Sequence, residues 1–147
     1  QVEAHYHEYH RARRAADQDP EPEVEVYIAD TAAEYGLWYR LAPVTYLGGS
    51  LSGSGCHRDP MEPAALGSAI IHGPRPGGFG TVFGRLGAAR AARSVATPAD
   101  LAEALGDLLS PDRAARLAQS AWSVASDGVD VTEKVLGILR KMLGEDR

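Results

Sequence analysis

The chain has 147 residues, of which 44% are hydrophobic and 24% are charged, and its formal net charge is −5. This length suits one globular core and is too short for two full domains. The acidic balance gives no basic field that would hold nucleic acid, so we expect no nucleic-acid partner. The single cysteine, Cys56, excludes an intrachain disulfide and a Cys-rich zinc site, as is typical of a protein in a reducing compartment.

A membrane-spanning segment is not expected. No stretch of the sequence approaches the roughly 18 consecutive apolar residues that a membrane helix requires. The first residues also lack the apolar core of a signal peptide. We therefore expect a soluble chain, and any membrane contact of the working protein through another segment.

The first part of the chain is predicted to hold one strand between two helices. Residues 1–16 are polar and helix-tolerant, with few apolar side chains at helical spacing, and they favour a peripheral helix. An acidic, proline-broken connection over 17–25 follows, and the β-branched and aromatic residues of 24–29 predict a strand. The apolar positions of 31–41 then suit a helix of about three turns.

The middle of the chain alternates short strands with loops rich in small residues. A strand predicted over 44–47 runs directly into the Gly-Gly-Ser sequence of 48–50. A second strand, over 69–72, runs into a Gly/Pro loop over 73–78, and a short helix over 61–66 lies between the two. The alternation continues with a helix predicted over 79–89 and a brief edge strand over 92–95.

Residues 97–147 are predicted to be entirely helical. Thr97-Pro98 and Ser110-Pro111 each combine a hydroxyl N-cap with proline at the first helical position, which predicts two helix starts. The Asp127-Gly128 pair is predicted to break the second of these helices from a last one over 131–142.

This order of elements predicts an α/β fold. Strands separated by single helices, with glycine-rich turns after the strands, indicate a Rossmann-like parallel sheet with helices on both faces. In such sheets ligands bind at the carboxyl ends of the strands. Both glycine-rich loops are expected at that edge.

The Gly-Gly-Ser sequence after the first of these strands is a candidate anion site. Gly48 and Gly49 would let the backbone approach a ligand closely, and Ser50 adds a hydroxyl donor. The alternative is a plain turn, which is the more frequent role of glycine at a strand end.

Glu62, at the start of a predicted helix, has two interpretations. Its carboxylate could accept hydrogen bonds from both hydroxyls of a ribose. It could also fold back onto Asp59 in a capping box, and Pro63 allows Glu62 to be the cap itself. The residues alone favour capping.

Basic side chains stand beside both loops. His57, Arg58 and Arg75 would give an acidic ligand local positive charge on an acidic protein. Solvated loop charges are the alternative and the commoner case.

The histidines near the start of the chain do not predict a metal site. His7 and His10 could share a helix face, but His5 would lie off it, and two histidines without a third ligand are insufficient.

Five motifs within residues 27–74 carry a resemblance to a known family. The sequence YIADTAAEYGLWYRLAPVTYLGGSL is followed, after a short loop, by DPMEPAALGSAIIHGP. The motifs lie at 30–34, 37–39, 47–50, 55–63 and 73–74. They resemble the Asp-Thr-x-Gly-Glu, Leu-Trp/Phe-Tyr, Val-Gly-Gly-Ser, Gly-Gly-His-Asn-Pro-Leu-Glu-Pro and Gly-Pro motifs in the donor domain of the Kdo transferase family. The resemblance continues more weakly through the C-terminal helices.

The resemblance implies that residues 1–147 are the C-terminal half of a two-domain GT-B glycosyltransferase. Such an enzyme transfers Kdo, an eight-carbon acidic sugar, from CMP-Kdo to a lipid A precursor at the cytoplasmic face of the bacterial inner membrane, without a metal or other cofactor. Its C-terminal domain holds the CMP part of the donor. The acceptor-binding N-terminal domain, with the catalytic carboxylate base and the membrane-contacting segment, is expected outside these residues, so the chain alone is expected to bind donor and not to catalyse transfer.

The resemblance also implies site residues by position. The expected donor contacts are Gly48, Gly49, Ser50, Gly55, His57 and Glu62, with Asp30, Glu34 and Gly73 as supporting positions. Arg58 is added to the expected contacts for its positive charge beside the loop, and not by resemblance. The sequence departs from the family pattern at four places. Ala33 and Cys56 each stand where the family has a glycine, and Arg58 and Gly78 each stand where it has an asparagine. Asp59 is one additional residue after Arg58.

Two other classes of function remain open on the sequence. One is a free-standing Rossmann-like or flavodoxin-like module that binds a nucleotide or phosphate without transferring a sugar. The other is a helical interaction domain that docks on a partner through Val131, Val135 and Ile138. A preference for cytidine nucleotides over adenine or flavin cofactors would separate a sugar-transferase domain from the generic module.

Overall fold

The computed structural model describes residues 9–143, without the side chains of residues 128–132 and 143. These residues form two compact units, with the boundary after Trp38. The expectation of a single CMP-sugar donor-binding domain over 1–147 stays a prediction.

The first unit is built on two short parallel strands, β1 (Arg11–Arg13) and β2 (Val26–Ile28). The strand predicted over 24–29 is confirmed. The helix predicted over 1–16 is wrong for residues 11–16, which form β1 and a 3-10 turn (Arg14–Ala16), while residues 1–8 lie outside the described residues. The exposed-buried-exposed pattern of β1 has the period of a strand, and pairing with β2 outweighs the local tolerance for a helix.

An ion pair ties the 3-10 turn after β1 to the later part of this unit. The Arg14 guanidinium donates from Nε to Glu34 Oε2 and from Nη2 to Glu34 Oε1, both at 2.9 Å. The Thr31 hydroxyl donates to the same carboxylate at 2.7 Å. This two-point geometry fixes the direction of the arginine as well as its distance.

A second carboxylate has a similar role. Asp30 forms a hydrogen-bonded ion pair with Arg13 and accepts the backbone N–H of Ala15 at 2.8 Å. Asp30 and Glu34 therefore both anchor β1 and the turn that follows it.

The second unit contains a three-stranded parallel sheet with the strand order β3-β4-β5. A helix, α1 (Tyr35–Leu41), precedes it and spans the boundary between the units. The strands are β3 (Val44–Tyr46), β4 (Ala69–His72) and β5 (Arg93–Ser94), and the other helices are α2 (Met61–Ala65), α3 (Gly80–Ala88), α4 (Pro98–Leu108) and α5 (Pro111–Leu143). Every strand and helix predicted between residues 31 and 95 is present, with differences at the ends.

The central strand, β4, shows that helices cover both faces of this sheet. All four of its residues are buried. Ile70 packs in one core cluster with Leu86 of α3 and Ala121 of α5, whereas Ile71 packs in another with Ala104 of α4. Adjacent residues of a strand face opposite sides, so the α/β parallel sheet with helices on both faces is confirmed.

The two C-terminal helices begin where the sequence predicts. Thr97 Oγ1 accepts the Asp100 N–H at 3.1 Å and the Asp100 carboxylate accepts the Thr97 N–H at 2.9 Å, which is a complete capping box for α4. The break predicted at 127–128 is wrong, because α5 runs unbroken from Pro111 to Leu143. A glycine inside a helix costs only about 1 kcal/mol, whereas ending the helix would leave up to four carbonyl groups without intrahelical partners.

The last turns of α5 present apolar side chains to the surface. The exposed residues there include Val135, Leu136, Ile138, Leu139 and Met142. Docking of a partner on this face stays a prediction, and the side chain of Val131 lies outside the described residues. No helix within residues 9–143 is both long enough and apolar enough to cross a membrane.

The ion pair of the first unit predicts a measurable pH dependence. Hydrogen bonds from Arg14 and then Thr31 lower the pKa of Glu34 from 4.5 to about 2. Because the folded-state pKa lies below the unfolded one, the pair stabilises the folded unit at pH above 4.5, and this contribution is lost as the pH falls towards 2. We expect a carbon-13 NMR titration of the Glu34 carboxyl group to give a midpoint near 2.

The Arg14→Ala variant should move this midpoint towards 4.5, because the largest cause of the shift is removed. Thr31→Val is the matched control, since it removes the weaker hydrogen bond and leaves the guanidinium in place. An unchanged midpoint in Arg14→Ala would contradict the assignment of the shift to this pair.

Candidate functional site

The loops that follow β3 and β4 meet at the carboxyl edge of the parallel sheet, as the sequence predicts. The Gly73 N–H donates to Ser50 Oγ at 2.9 Å, and the Arg75 N–H donates to the Ser50 carbonyl at 2.8 Å. The Cys56 N–H in turn donates to the Arg75 carbonyl at 3.1 Å. The segment from Leu47 to Arg58 and the segment from Gly73 to Phe79 therefore form one connected structure, which we call the double loop.

Ser50 lies inside the double loop rather than on its surface. Its hydroxyl donates to the Leu47 carbonyl at 2.5 Å while accepting from Gly73, and the residue is fully buried. Both functions of the hydroxyl are therefore used within the protein. Contact between Ser50 and a ligand stays a prediction. In the structure the Ser50 side chain joins the two loops.

Three glycines of the predicted site are required by close backbone packing. A Cβ atom on Gly49 would lie 2.2 Å from the Gly55 carbonyl oxygen, and one on Gly73 would lie 2.3 Å from the Ser50 carbonyl oxygen. Gly49 and Gly55 also have positive φ angles, of 79° and 116°. A larger residue at Gly55 or Gly73 would force the two loops apart, and one at Gly49 would disrupt the first loop itself.

One further glycine of the double loop was not singled out from the sequence. Gly77 has a φ angle of 59°, and a Cβ atom on it would lie 2.5 Å from the Cys56 carbonyl oxygen. The Gly77-Gly78 pair in the sequence is the signal that could have found it. It closes the second loop onto the first.

The outer surface of the double loop carries groups that could contact a ligand. Gly48 is exposed, and a Cβ atom on it would meet nothing within 4 Å. Among the hydrogen bonds within residues 9–143, none uses the N–H groups of Gly48 or Gly49 as donors. The exposed His57 ring lies against Gly49 and its Nε2 is 3.3 Å from Ser54 Oγ. Amide groups and an imidazole are thus available side by side.

Arg58 and Glu62 form an exposed ion pair next to this surface. Arg58 Nη2 donates to Glu62 Oε2 at 2.9 Å, and the two side chains are 43% and 47% exposed. The Glu62 carboxylate raises the pKa of Arg58 further above its ordinary value. A pair this exposed contributes only about 0–1 kcal/mol, so either partner can exchange its contact at small cost.

The capping-box interpretation of Glu62 is half right. The Asp59 carboxylate accepts the Met61 N–H at 2.9 Å, which caps the first turn of α2. Glu62 turns instead towards Arg58, so its carboxylate is directed to a side chain and not to the cap.

Three other residues singled out from the sequence, Arg75, Asp30 and Glu34, have structural tasks. Arg75 donates from Nη1 to the Gly53 carbonyl at 2.6 Å, which ties the tip of the first loop to the second. Asp30 and Glu34, the predicted supporting positions, lie in the first unit, where each is bonded to an arginine. Sequence reasoning did not single out these arginines, Arg13 and Arg14, because they lie in a polar stretch without a motif.

Metal-binding clusters were searched for among the described residues. No group of three or more His, Cys, Asp or Glu side chains in that part of the chain could hold a metal ion. His5 and His7 lie outside it.

Comparison with known proteins finds curated relatives that share one name. No family model matches the chain. It is 26% identical over 133 residues to the 3-deoxy-D-manno-octulosonic acid transferase of Haemophilus influenzae, covering 89% of this chain and 31% of that protein. It is 31% identical over 137 residues to the transferase of the same name from Bordetella pertussis, covering 90% of this chain and 31% of that protein. The chain therefore spans about a third of the length of these curated relatives.

A solved structure has the same fold. It is the crystal structure of the C-terminal CMP-Kdo binding domain of WaaA from Acinetobacter baumannii, with a TM-score of 0.71 and 28% sequence identity. The match covers 79% of this chain and 61% of that one. The resemblance found in the motifs is confirmed: on sequence and fold together, the chain is a homologue of the Kdo transferases and matches their C-terminal domain.

Proposed function

We propose that this chain is the donor-nucleotide-binding domain of a Kdo transferase and that it holds the CMP part of CMP-Kdo on the double loop. The fold match carries this proposal, because the matched structure is a domain that binds CMP-Kdo and the match covers 79% of this chain. The position of the double loop supports it, since parallel α/β sheets bind ligands at the carboxyl ends of their strands.

The phosphate of CMP is assigned to the glycine end of the surface. The N–H groups of Gly48 and Gly49 have no acceptor within the described residues and lie at the end of a strand, where backbone donors suit an anion. His57, against Gly49, adds a polar ring, and Arg58 adds a permanent positive charge. A protein with a formal net charge of −5 needs such a local source of positive charge to hold an anion.

The ribose of CMP is assigned to Glu62. A carboxylate with two oxygens can accept hydrogen bonds from both ribose hydroxyls. In the structure that carboxylate is held by Arg58 in an exposed pair, which costs little to open. Donor binding would then exchange partners, with Arg58 turning to the phosphate and Glu62 to the ribose.

The remaining predicted residues shape the site and need not touch the donor. Ser50, Gly55 and Gly73 keep the two loops in contact, which sets the direction of the Gly48 and Gly49 amides. Asp30 and Glu34 stabilise the first unit through their arginine pairs.

The proposal extends to the parent enzyme. There the domain would present CMP-Kdo for transfer of Kdo to a lipid A precursor at the cytoplasmic face of the inner membrane. The acceptor site, the catalytic carboxylate base and the membrane contact are assigned to parts of the relatives that this chain does not match. Kdo transfer is therefore a property of the whole enzyme in this proposal.

The first prediction concerns nucleotide selectivity. In a nitrogen-proton NMR titration, CMP should shift the amide signals of Gly48 to Ser50 and of residues around Glu62, because the phosphate and ribose are assigned there. AMP at the same concentration should produce smaller shifts. Equal shifts with both nucleotides would contradict a cytidine-specific domain and favour a generic nucleotide module.

The second prediction isolates the ribose contact. The chain should bind CMP about tenfold more tightly than 2′-deoxyCMP, because a hydrogen bond to a charged group contributes roughly 1.5–3 kcal/mol. In Glu62→Ala this preference should fall to near unity in a calorimetric titration. The matched control is Glu103→Ala, which removes an exposed carboxylate of α4. A 2′-hydroxyl preference that survives in Glu62→Ala would rule out the assignment.

The third prediction concerns catalysis. The purified chain, incubated with CMP-Kdo and a lipid A precursor, should form no Kdo-lipid product, because the proposed catalytic base lies elsewhere in the parent enzyme. Mass spectrometry of the lipid fraction is the measurement. Product formation above the level of a protein-free control would contradict this division of tasks.

A further inference from the structure

A second candidate site lies at the opposite edge of the same sheet. A pocket of about 420 Å³ is lined by residues from the connection between α3 and β5, the start of β5, the end of α4 and the first half of α5. The double loop follows the strands β3 and β4, whereas Arg93 is the first residue of β5. In a parallel sheet the pocket therefore lies at the amino edge, away from the proposed donor site.

The charge of this pocket differs from that of the whole chain. Its lining includes four arginines, Arg90, Arg93, Arg113 and Arg116, and one carboxylate, Asp107. The formal charge of the lining is +3, on a protein whose formal net charge is −5. Like charges gathered in one place repel one another, and an anion bound among them would relieve that repulsion.

The single carboxylate organises half of the cluster. Asp107 Oδ2 accepts from Arg93 at 3.3 Å and Oδ1 accepts from Arg113 at 3.0 Å. Arg90 and Arg116 form no ion pair with any carboxylate in the described part of the chain. Two guanidinium groups are thus held in place and two remain available to an external acceptor.

The backbone of Arg90 provides an independent observation. Arg90 follows the last turn of α3 with a φ angle of 52°, its N–H donates to the Gly87 carbonyl at 3.0 Å, and the Ala91 N–H donates to the Leu86 carbonyl at 2.8 Å. This is a Schellman ending, in which the position of Arg90 is usually occupied by glycine. A residue other than glycine is strained in this left-handed backbone conformation. The Arg90 side chain lines the pocket from this position.

The rest of the lining favours a group with a compact charge. The four arginines are exposed, and Ala92, Leu108 and Leu117 contribute apolar surface beside them. A pocket of several hundred cubic ångströms admits a group of small-molecule size. Arginine forks match the oxygens of phosphate better than any other side chain does.

We propose that this pocket, which we call the arginine pocket, binds a phosphate or diphosphate group at a site separate from the donor site. The ligand bonds to Arg90 and Arg116, with Arg93 and Arg113 held beside it by Asp107. The group belongs either to a soluble phosphorylated molecule or to the headgroup of an anionic lipid, and the chemistry of recognition is the same for both.

The test combines two substitutions that remove the available charges. Pyrophosphate, titrated into the chain at low ionic strength, should shift the amide signals of Arg93, Asp107 and Arg116 in nitrogen-proton NMR spectra. The Arg90→Gly/Arg116→Ala variant should bind pyrophosphate about tenfold more weakly at these signals. Arg90→Gly alone should not lower the unfolding temperature, because glycine relieves the strained φ angle. Loss of binding without loss of stability separates a ligand contact from a structural role.

The matched control is Arg140→Ala/Lys141→Ala, which removes the same number of positive charges from exposed positions at the far end of α5. Sedimentation with phosphatidylglycerol vesicles, against phosphatidylcholine vesicles, forms the second arm. Binding of pyrophosphate identifies a soluble ligand class, and binding of the anionic vesicles alone identifies a lipid headgroup. Binding of neither probe, or equal binding by the pocket variant and its control, would overturn the proposal. These signals lie outside the double loop, so failure of CMP binding there would leave this test intact.

Discussion

The double loop depends on contact between a buried serine hydroxyl and a glycine that has no room for a side chain. Ser50 bonds to Leu47 in its own loop and to Gly73 in the neighbouring one. A Cβ atom on Gly73 would collide with the Ser50 carbonyl oxygen at 2.3 Å. Because the β3 and β4 strands are parallel and adjacent, their carboxyl ends lie side by side. The contact between Ser50 and Gly73 then fixes the position of one loop against the other. The same contact sets the direction of the Gly48 and Gly49 N–H groups.

A rigid interior leaves the outer face free to exchange partners. The polar groups that face outward, His57, Arg58 and Glu62, are exposed and held by contacts that cost little to open. Buried hydrogen bonds have the opposite character, since removing one partner leaves a desolvated polar group. The site therefore separates residues that define its shape from residues that can meet a ligand.

The two edges of the parallel sheet offer anions different chemistry. At the carboxyl edge, backbone N–H groups and one arginine stand beside a carboxylate, an arrangement suited to a nucleotide with both a phosphate and a ribose. At the amino edge, four arginines surround one carboxylate, an arrangement suited to a group that is mainly phosphate. Both lie on a protein of formal net charge −5, so each must create its positive field locally.

The sequence by itself determined the order of elements between residues 31 and 95 and the resemblance to the relatives. Alternating apolar runs and glycine turns predict β3, β4 and the helix between them, because these signals are local in the chain. The Gly-Gly-Ser and Glu-Pro motifs identify the relatives for the same reason. Only the tertiary structure decided which partners individual side chains contact and where two of the elements begin or end. Ser50 turned inward, Glu62 paired with Arg58, residues 11–13 became a strand, and α5 continued past Gly128, since each outcome depends on partners distant in sequence or on the cost of the alternative. The arginine pocket is formed by residues of β5, α4, α5 and the connection before β5, so no local pattern in the chain could indicate it.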